Sequence, residues 1–212
     1  LPRPELDGND IRIRVHACGV NFPDTLIIQG KYQLKPPMPF APGGEVAGEV
    51  IEVGDKVTGL KVGDRVMALT GFGGFAEEAV TNVNRAIPIP PGMDYVTAAG
   101  FSMVYGTSYH ALVQRGRLKA GENLLVLGAS GGVGLAAVEI GKALGARVIA
   151  AASSPEKLAV AKEHGADELI DYSKEDLKER VKELTGGNGA DVIYDPVGGD
   201  AFDACLRAIN WD

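Results

Sequence analysis

The sequence is poor in cysteine, aromatics and histidine, has no excess of positive charge and carries no long apolar run. Its two cysteines, Cys18 and Cys205, lie far apart in a chain of 212 residues. Two distant thiols make no disulfide framework and suit a reducing compartment, so the chain reads as a cytoplasmic protein. A formal net charge of −7 lacks the basic footprint that nucleic acid or an anionic membrane requires of a main partner. No stretch approaches the roughly 18 apolar residues of a membrane span, and the first residues show no basic-then-apolar leader. The three histidines, His16, His110 and His164, fall in unrelated segments. A metal site needs three or four N, S or O ligands at workable spacing, so no metal centre is expected.

Glycine is plentiful instead, at 29 residues, spread through turn-like settings along the whole chain. The first part, 1–95, reads as β-rich. "IRIRVHAC" alternates, with Ile11, Ile13, Val15 and Ala17 on one face and Arg12, Arg14, His16 and Cys18 on the other. "GEVAGEVIEVG" and "VGDRVMAL" read as short strands bounded by turns, and the prolines of "KPPMPFAPGG" force an irregular loop. From 96 to 212 the pattern changes to alternating strands and helices. Strands are expected at Leu124–Leu127, Val148–Ala152, Leu169–Asp171 and Val192–Asp195. Helices are expected at Gly131–Leu144 and Pro155–His164, with a third opening at Ser173, where Asp176 three residues on completes a capping-box pattern. Such alternation means βαβ units and a parallel sheet. The fold class is therefore α/β. Both ends look cut, because a doubly wound sheet would continue past "RAINWD" and four parallel strands leave an apolar edge.

The strongest signal is "LLVLGASGGVGLAAVEIGKALGARVIAAASSPEK". An apolar strand meets the turn Gly128, Ser130, Gly131, Gly132, Val133 and Gly134, then a helix rich in small residues. Glycine there permits a tight turn, lets backbone N–H groups approach a pyrophosphate, and lets helix pack on strand. Its place inside a βαβ unit points to a dinucleotide site rather than a glycine-rich turn serving packing alone. NAD enzymes usually end the second strand on an acid that binds the ribose hydroxyls. Here Ser153 and Ser154 stand at that end and Lys157 follows, a set suited to a 2′-phosphate and so to NADPH. On residue type alone, Lys157 also reads as a surface lysine.

At this point "GENLLVLGASGGVGLAAVEIGK" resembles the zinc-independent quinone oxidoreductase (zeta-crystallin-like) branch of the medium-chain dehydrogenase/reductases, departing mainly at Glu139, where that pattern usually has Gln. "GVNFPDTLIIQGKY", "PGGEVAGEVIEVG", "VGDRV" and "YGTSYHAL" follow in the same order. The resemblance implies a GroES-like β-barrel catalytic domain and a Rossmann-type doubly wound domain, both partial here, with the active site in the cleft between them. It also implies a homodimer formed through parts outside this chain. In zinc-dependent relatives a Cys stands at the position of Asn21 and a His at that of Gly44, so both ligand positions are vacated.

Without a Lewis acid, a quinone or an α,β-unsaturated carbonyl is the easier hydride acceptor, because each spreads the incoming charge. Asn21 is the first candidate to orient acceptor or cofactor through its amide, or else fixes a turn. Asp24 is an acid or a loop cap. The resemblance implies for Tyr32 the role of a proton donor, as in enoyl-thioester reductases, against that of an aromatic covering the cleft. It places Thr107 near the nicotinamide, against the role of a helix-packing threonine, and Tyr172 beside the adenosine phosphate. None of the six tyrosines has Lys four residues later, which removes the short-chain dehydrogenase pair. The leading function is NADPH-dependent reduction of a quinone. Reduction of an enoyl thioester or enone, and NADPH binding without turnover, stand as alternatives.

Overall fold

The alternating segment at Ile11 forms the longest strand, β1 (Asp10–Gly19). A computed structural model describes residues 3–211, which divide into two units between Met103 and Val104. In the first unit β1 is followed by α1 (Phe22–Ile27), β2 (Glu45–Val53), β3 (Arg65–Leu69), β4 (Glu78–Asn82), β5 (Ala86–Pro88) and α2 (Tyr95–Ala99). The strands form one antiparallel sheet in the order β4-β1-β2-β3-β5. Ile11, Ile13, Val46, Val50, Val66, Ala68 and Ala79 make its main core. The short helix α2 packs Ala98 and Ala99 with Ala47 and Met67. The first unit thus extends past the change of periodicity at Asp94.

The strict alternation expected along β1 does not hold. The register against β2 shifts between Val15 and Ala17. One extra residue at such a bulge turns every following side chain to the opposite face. Cys18 therefore joins Ile11, Ile13 and Val15 at the main core, whereas Ala17 packs with the α2 cluster. His16 is exposed and stacks on Tyr95, ring centroids 4.4 Å apart. His16 and Cys18 thus do not form one face. Arg12 is buried, its Nε donating to Glu52 at 2.7 Å.

The second unit begins in α3 (Ser102–Tyr109), which continues as a π-helical turn, His110–Arg115. Then come β6 (Asn123–Leu127), α4 (Gly132–Ala143), β7 (Arg147–Ala152), α5 (Pro155–Glu163), β8 (Glu168–Asp171), α6 (Leu177–Leu184), β9 (Val192–Tyr194) and α7 (Asp200–Ala208). The four strands are parallel in the order β8-β7-β6-β9. Successive strand residues face opposite sides of the sheet. Leu124, Val126, Val148 and Ala150 pack with Ala137, Val138 and Ala161 of α4 and α5. Leu125, Leu127, Ile149, Ala151 and Ile170 pack with Leu177 and Val181 of α6 and Cys205 and Ala208 of α7. Both faces are covered, which is why the strands read as apolar runs.

The third helix of the alternation starts later than expected. It opens at Leu177 rather than Ser173, and Asp176 is its cap, accepting from Glu179 N at 2.9 Å. Ser173 is held back because its N–H and hydroxyl both donate to Asp171 Oδ1, at 3.1 and 2.6 Å. Such local side-chain bonds compete with helix formation. No helix among the described residues is long and apolar enough to cross a membrane.

Candidate functional site

In the first unit the site grows from the turn between β1 and α1. Asn21 stands in extended conformation before α1, and Pro23 sets the first helical turn. Asn21 N donates to Asp24 Oδ2 at 2.8 Å, and Gly43 N donates to Asp24 Oδ1 at 3.1 Å. Both oxygens of this buried carboxylate are therefore taken by main-chain donors. The structure gives Asp24 the geometry of a cap that ties the α1 turn to the loop before β2.

Asn21 Nδ2 donates to Glu45 Oε2 at 3.1 Å, and Glu45 Oε1 accepts from Met103 N at 2.7 Å. Glu45 has no solvent exposure. Burial pushes its carboxyl above the usual range, opposed by the N–H groups of Met103, Asn21 and Ser102. Sequence reasoning gives Glu45 no role beyond turn and strand chemistry. The signal available was an ionisable side chain opening the strand directly after Gly43 and Gly44, with Val46, Ala47 and Gly48 following it. Cys18 Sγ donates to Glu45 O at 3.0 Å. Burial, then nearby Asp24, pushes this thiol up to about 11, so it stays protonated at neutral pH. Tyr32 is half-buried in the irregular segment after α1. The hydrogen bonds described for Asn21 run to Asp24 and Glu45, not to Tyr32.

In the second unit the glycine-rich turn joins β6 to α4. Gly128 has φ +57°, a left-handed conformation that favours glycine. A Cβ on Gly134 would lie 2.2 Å from Gly128 O, so only glycine lets the helix start this close to the strand end. Gly131 precedes α4, and no side chain caps the first turn. The donors of that turn and the positive end of the helix dipole are thereby available to an anion. Ser130 is partly buried in this turn, and Gly131 and Gly132 are exposed. Ser108 Oγ donates to Val133 O at 2.7 Å, anchoring α3 to the first turn of α4. The exposed Thr107 is the preceding residue.

Parallel pairing sets Ala152 opposite Asp171, and Tyr172 N donates to Ala152 O at 3.1 Å. Ser153 and Tyr172 therefore leave the sheet side by side. Lys157 Nζ donates to Ser153 Oγ at 2.9 Å, and Ser154 caps α5. Tyr172 is half-buried against the α6–α7 face. Glu156 is exposed, so no buried acid closes β7. Within this unit the turn, Ser153, Lys157 and Tyr172 all gather at the carboxyl ends of the strands, where open α/β sheets bind ligands. The open helix start and the hydroxyl–ammonium pair fit the pyrophosphate and an added phosphate of a dinucleotide. Glu139, the departure from the family pattern, accepts from the Tyr105 hydroxyl and lies 2.5 Å from His164 Nδ1.

Residues 7–91 match the alcohol dehydrogenase GroES-like domain, and residues 132–211 match the zinc-binding dehydrogenase family. Quinone oxidoreductase-like protein 2 homolog of Nematostella vectensis is 46% identical over 209 residues, 98% of this chain and 57% of that protein. The crystal structure of Pseudomonas syringae pv. Tomato DC3000 quinone oxidoreductase matches with TM-score 0.92 and 39% identity, over 99% of this chain and 65% of that one. Escherichia coli quinone oxidoreductase complexed with NADPH matches with TM-score 0.91 and 34% identity, over 99% of this chain and 64% of that one. The chain thus spans less than two thirds of the length of these relatives.

The zinc implied by one family description does not fit the residues around Asn21. Asn21 offers a neutral amide, Gly44 offers no side chain, Cys18 is a protonated donor, and the oxygens of Asp24 and Glu45 are engaged by N–H groups. Among the described residues no three His, Cys, Asp or Glu side chains form a metal-holding group. The two domain matches, the relatives and the shared fold converge: the chain belongs to the quinone oxidoreductase branch of the medium-chain dehydrogenase/reductases.

Proposed function

We propose that the full-length protein binds NADPH and reduces a quinone. The observation that carries this reading is the end of β7, where Ser153 and Lys157 are hydrogen-bonded to each other, no acid closes the strand itself, and the carboxylate of neighbouring Asp171 is engaged by Ser173 and Lys174. A ribose bearing a 2′-phosphate finds there a hydroxyl and an ammonium; a plain ribose finds no acid at the end of β7 itself to receive its hydroxyls. The first-turn N–H groups of α4 hold the pyrophosphate, with the glycines from Gly128 to Gly134 admitting it. Tyr172 lines the adenosine phosphate, and Thr107 lies toward the nicotinamide. The NADPH complex of the Escherichia coli relative supports the choice of cofactor.

When bound, NADPH supplies the hydride. The chain's own residues bind it, orient the acceptor and keep a donor at the acceptor oxygen. Asn21 does this through its amide, while Asp24 holds the Asn21 main chain in place. A quinone needs little more, since its ring delocalises the added charge. No step runs through a metal. An enoyl thioester would also need a proton at the enolate, for which the Tyr32 phenol is the candidate. The substrate is therefore a small molecule, and we infer a homodimer assembled through segments outside this chain, in the cytoplasm.

The test is NADPH oxidation by the full-length protein with 1,4-benzoquinone and with crotonyl-CoA in parallel. Quinone turnover with a silent thioester supports the reading. Thioester turnover alone makes the protein an enoyl reductase, and silence with both, despite NADPH binding, makes it a non-catalytic binder.

A further inference from the structure

Glu45 is a carboxylate with no solvent exposure, and among the described residues no lysine or arginine pairs with it. Burying a charge without a counter-ion is costly unless hydrogen bonds replace its hydration. Its partners here are N–H groups: Met103 N at 2.7 Å, Asn21 Nδ2 at 3.1 Å and the main chain of Ser102. Gly19 makes room for the arrangement. A Cβ there would lie 2.9 Å from Glu45 Oε2 and 2.4 Å from Ala99 O.

We propose that Glu45 is the positioning residue for Asn21, fixing which end of the Asn21 amide meets the ligand. Both carboxyl oxygens of Glu45 face N–H groups and act as acceptors. An amide can turn by 180° and exchange its donor and acceptor ends. Against Glu45, only the orientation with Nδ2 toward the carboxylate makes a bond, which sends Oδ1 elsewhere. The main-chain donors at 102–103 hold Glu45 in turn, so it does not swing to follow the amide. Asn21 is thus held at its main chain by Asp24 and at its amide by Glu45. With Oδ1 turned to the Asp24 N–H in a capping-box arrangement, the second Nδ2 proton is the group of the amide left for a carbonyl, the polar group that a quinone offers. This inference rests on the proposed role of Asn21 as a ligand contact.

The experiment uses the full-length protein with Glu45→Gln, Asn21→Ala and the double variant, assayed with NADPH and 1,4-benzoquinone. A glutamine keeps the shape and one acceptor but sets an NH2 group against the Asn21 amide. We expect kcat to fall about tenfold in either single variant, a hydrogen bond's worth in a buried setting, with KM for NADPH little changed. The double variant is expected to be no slower than Asn21→Ala. Multiplying losses, or a lower Tm with wild-type kcat in Glu45→Gln, would overturn the proposal.

NMR of the Asn21 side-chain amide, labelled with 15N, gives a readout that needs neither activity nor a variant. In the wild-type protein one of its two protons should be shifted downfield and slow to exchange. Two fast-exchanging, solvent-like signals would overturn the positioning role. A protected proton together with wild-type turnover in both single variants would instead overturn Asn21 as a ligand contact, and with it the functional consequence drawn for Glu45.

Discussion

Lys157 sits at 2.9 Å from Ser153 Oγ, exposed and one turn into α5, so its ammonium is free to exchange that hydroxyl for a phosphate. Lys157→Ala is expected to weaken NADPH binding by about 1.5–3 kcal/mol, the range for a hydrogen bond to a charged group, and to leave NADH nearly unchanged. Titration of the full-length protein with both cofactors checks this; equal losses would remove the 2′-phosphate assignment. At this scale the glycines at 128 and 134 were readable from the sequence, because a left-handed turn and a close helix approach demand them. Glu45 was not. Its meaning comes from Met103, far along the chain, whose N–H meets the carboxylate. A short-range pattern holds no trace of that meeting. Asp24 was open between acid and cap, and its two main-chain partners have the geometry of a cap.

Among the elements, α6 shows how a local rule can point to the right residue and the wrong role. Ser173 and Asp176 have capping-box spacing, yet Ser173 bonds Asp171 and leaves Asp176 to open the helix. Asp176→Ala should therefore cost about 1 kcal/mol, the usual worth of a cap, whereas capping from Ser173 would leave Asp176 replaceable at little cost. Chemical denaturation of the two alanine variants separates these outcomes. The bulge in β1 is a second case. Alternation through "IRIRVHAC" puts His16 and Cys18 on one face, but pairing with β2 shifts the register after Val15. Cys18 turns to the core and His16 to Tyr95. A bulge depends on the partner strand, so neither strand's own sequence announces it.

At the scale of the whole molecule, acid acts on several carboxylates of the second unit in one direction. Burial alone would raise Glu139, Asp167 and Asp191. The Tyr105 hydroxyl and His164 overcome it for Glu139, and the Lys142 ammonium and Val148 N–H for Asp167. The N–H groups of Asn123 and Asn210 do so for Asp191. All three end below their ordinary values. A carboxyl depressed by folding contributes stability that is complete above its ordinary value and is lost as pH falls through the folded one. Those ordinary values are 4.5 for Glu139 and 3.8 for the two aspartates. Glu45 is raised and so contributes in the opposite sense, losing its share as pH rises. We expect Tm of the second unit to fall below pH 4.5, and Asp167→Asn to flatten the fall. Calorimetry between pH 7 and pH 3 checks both; a level Tm would contradict them. The sequence by itself determined the succession of strands and helices after Asp94, the glycine-rich turn and the absence of an acid at the end of β7. Those properties follow from periodicity and from the few residues able to occupy a tight turn. The tertiary structure alone decided the bulge at His16, the burial of Glu45 against Met103 and the pairing of Ala152 with Asp171 that sets Ser153 beside Tyr172. Each depends on which distant segments come into contact, and the chain settles that only by packing its apolar faces together.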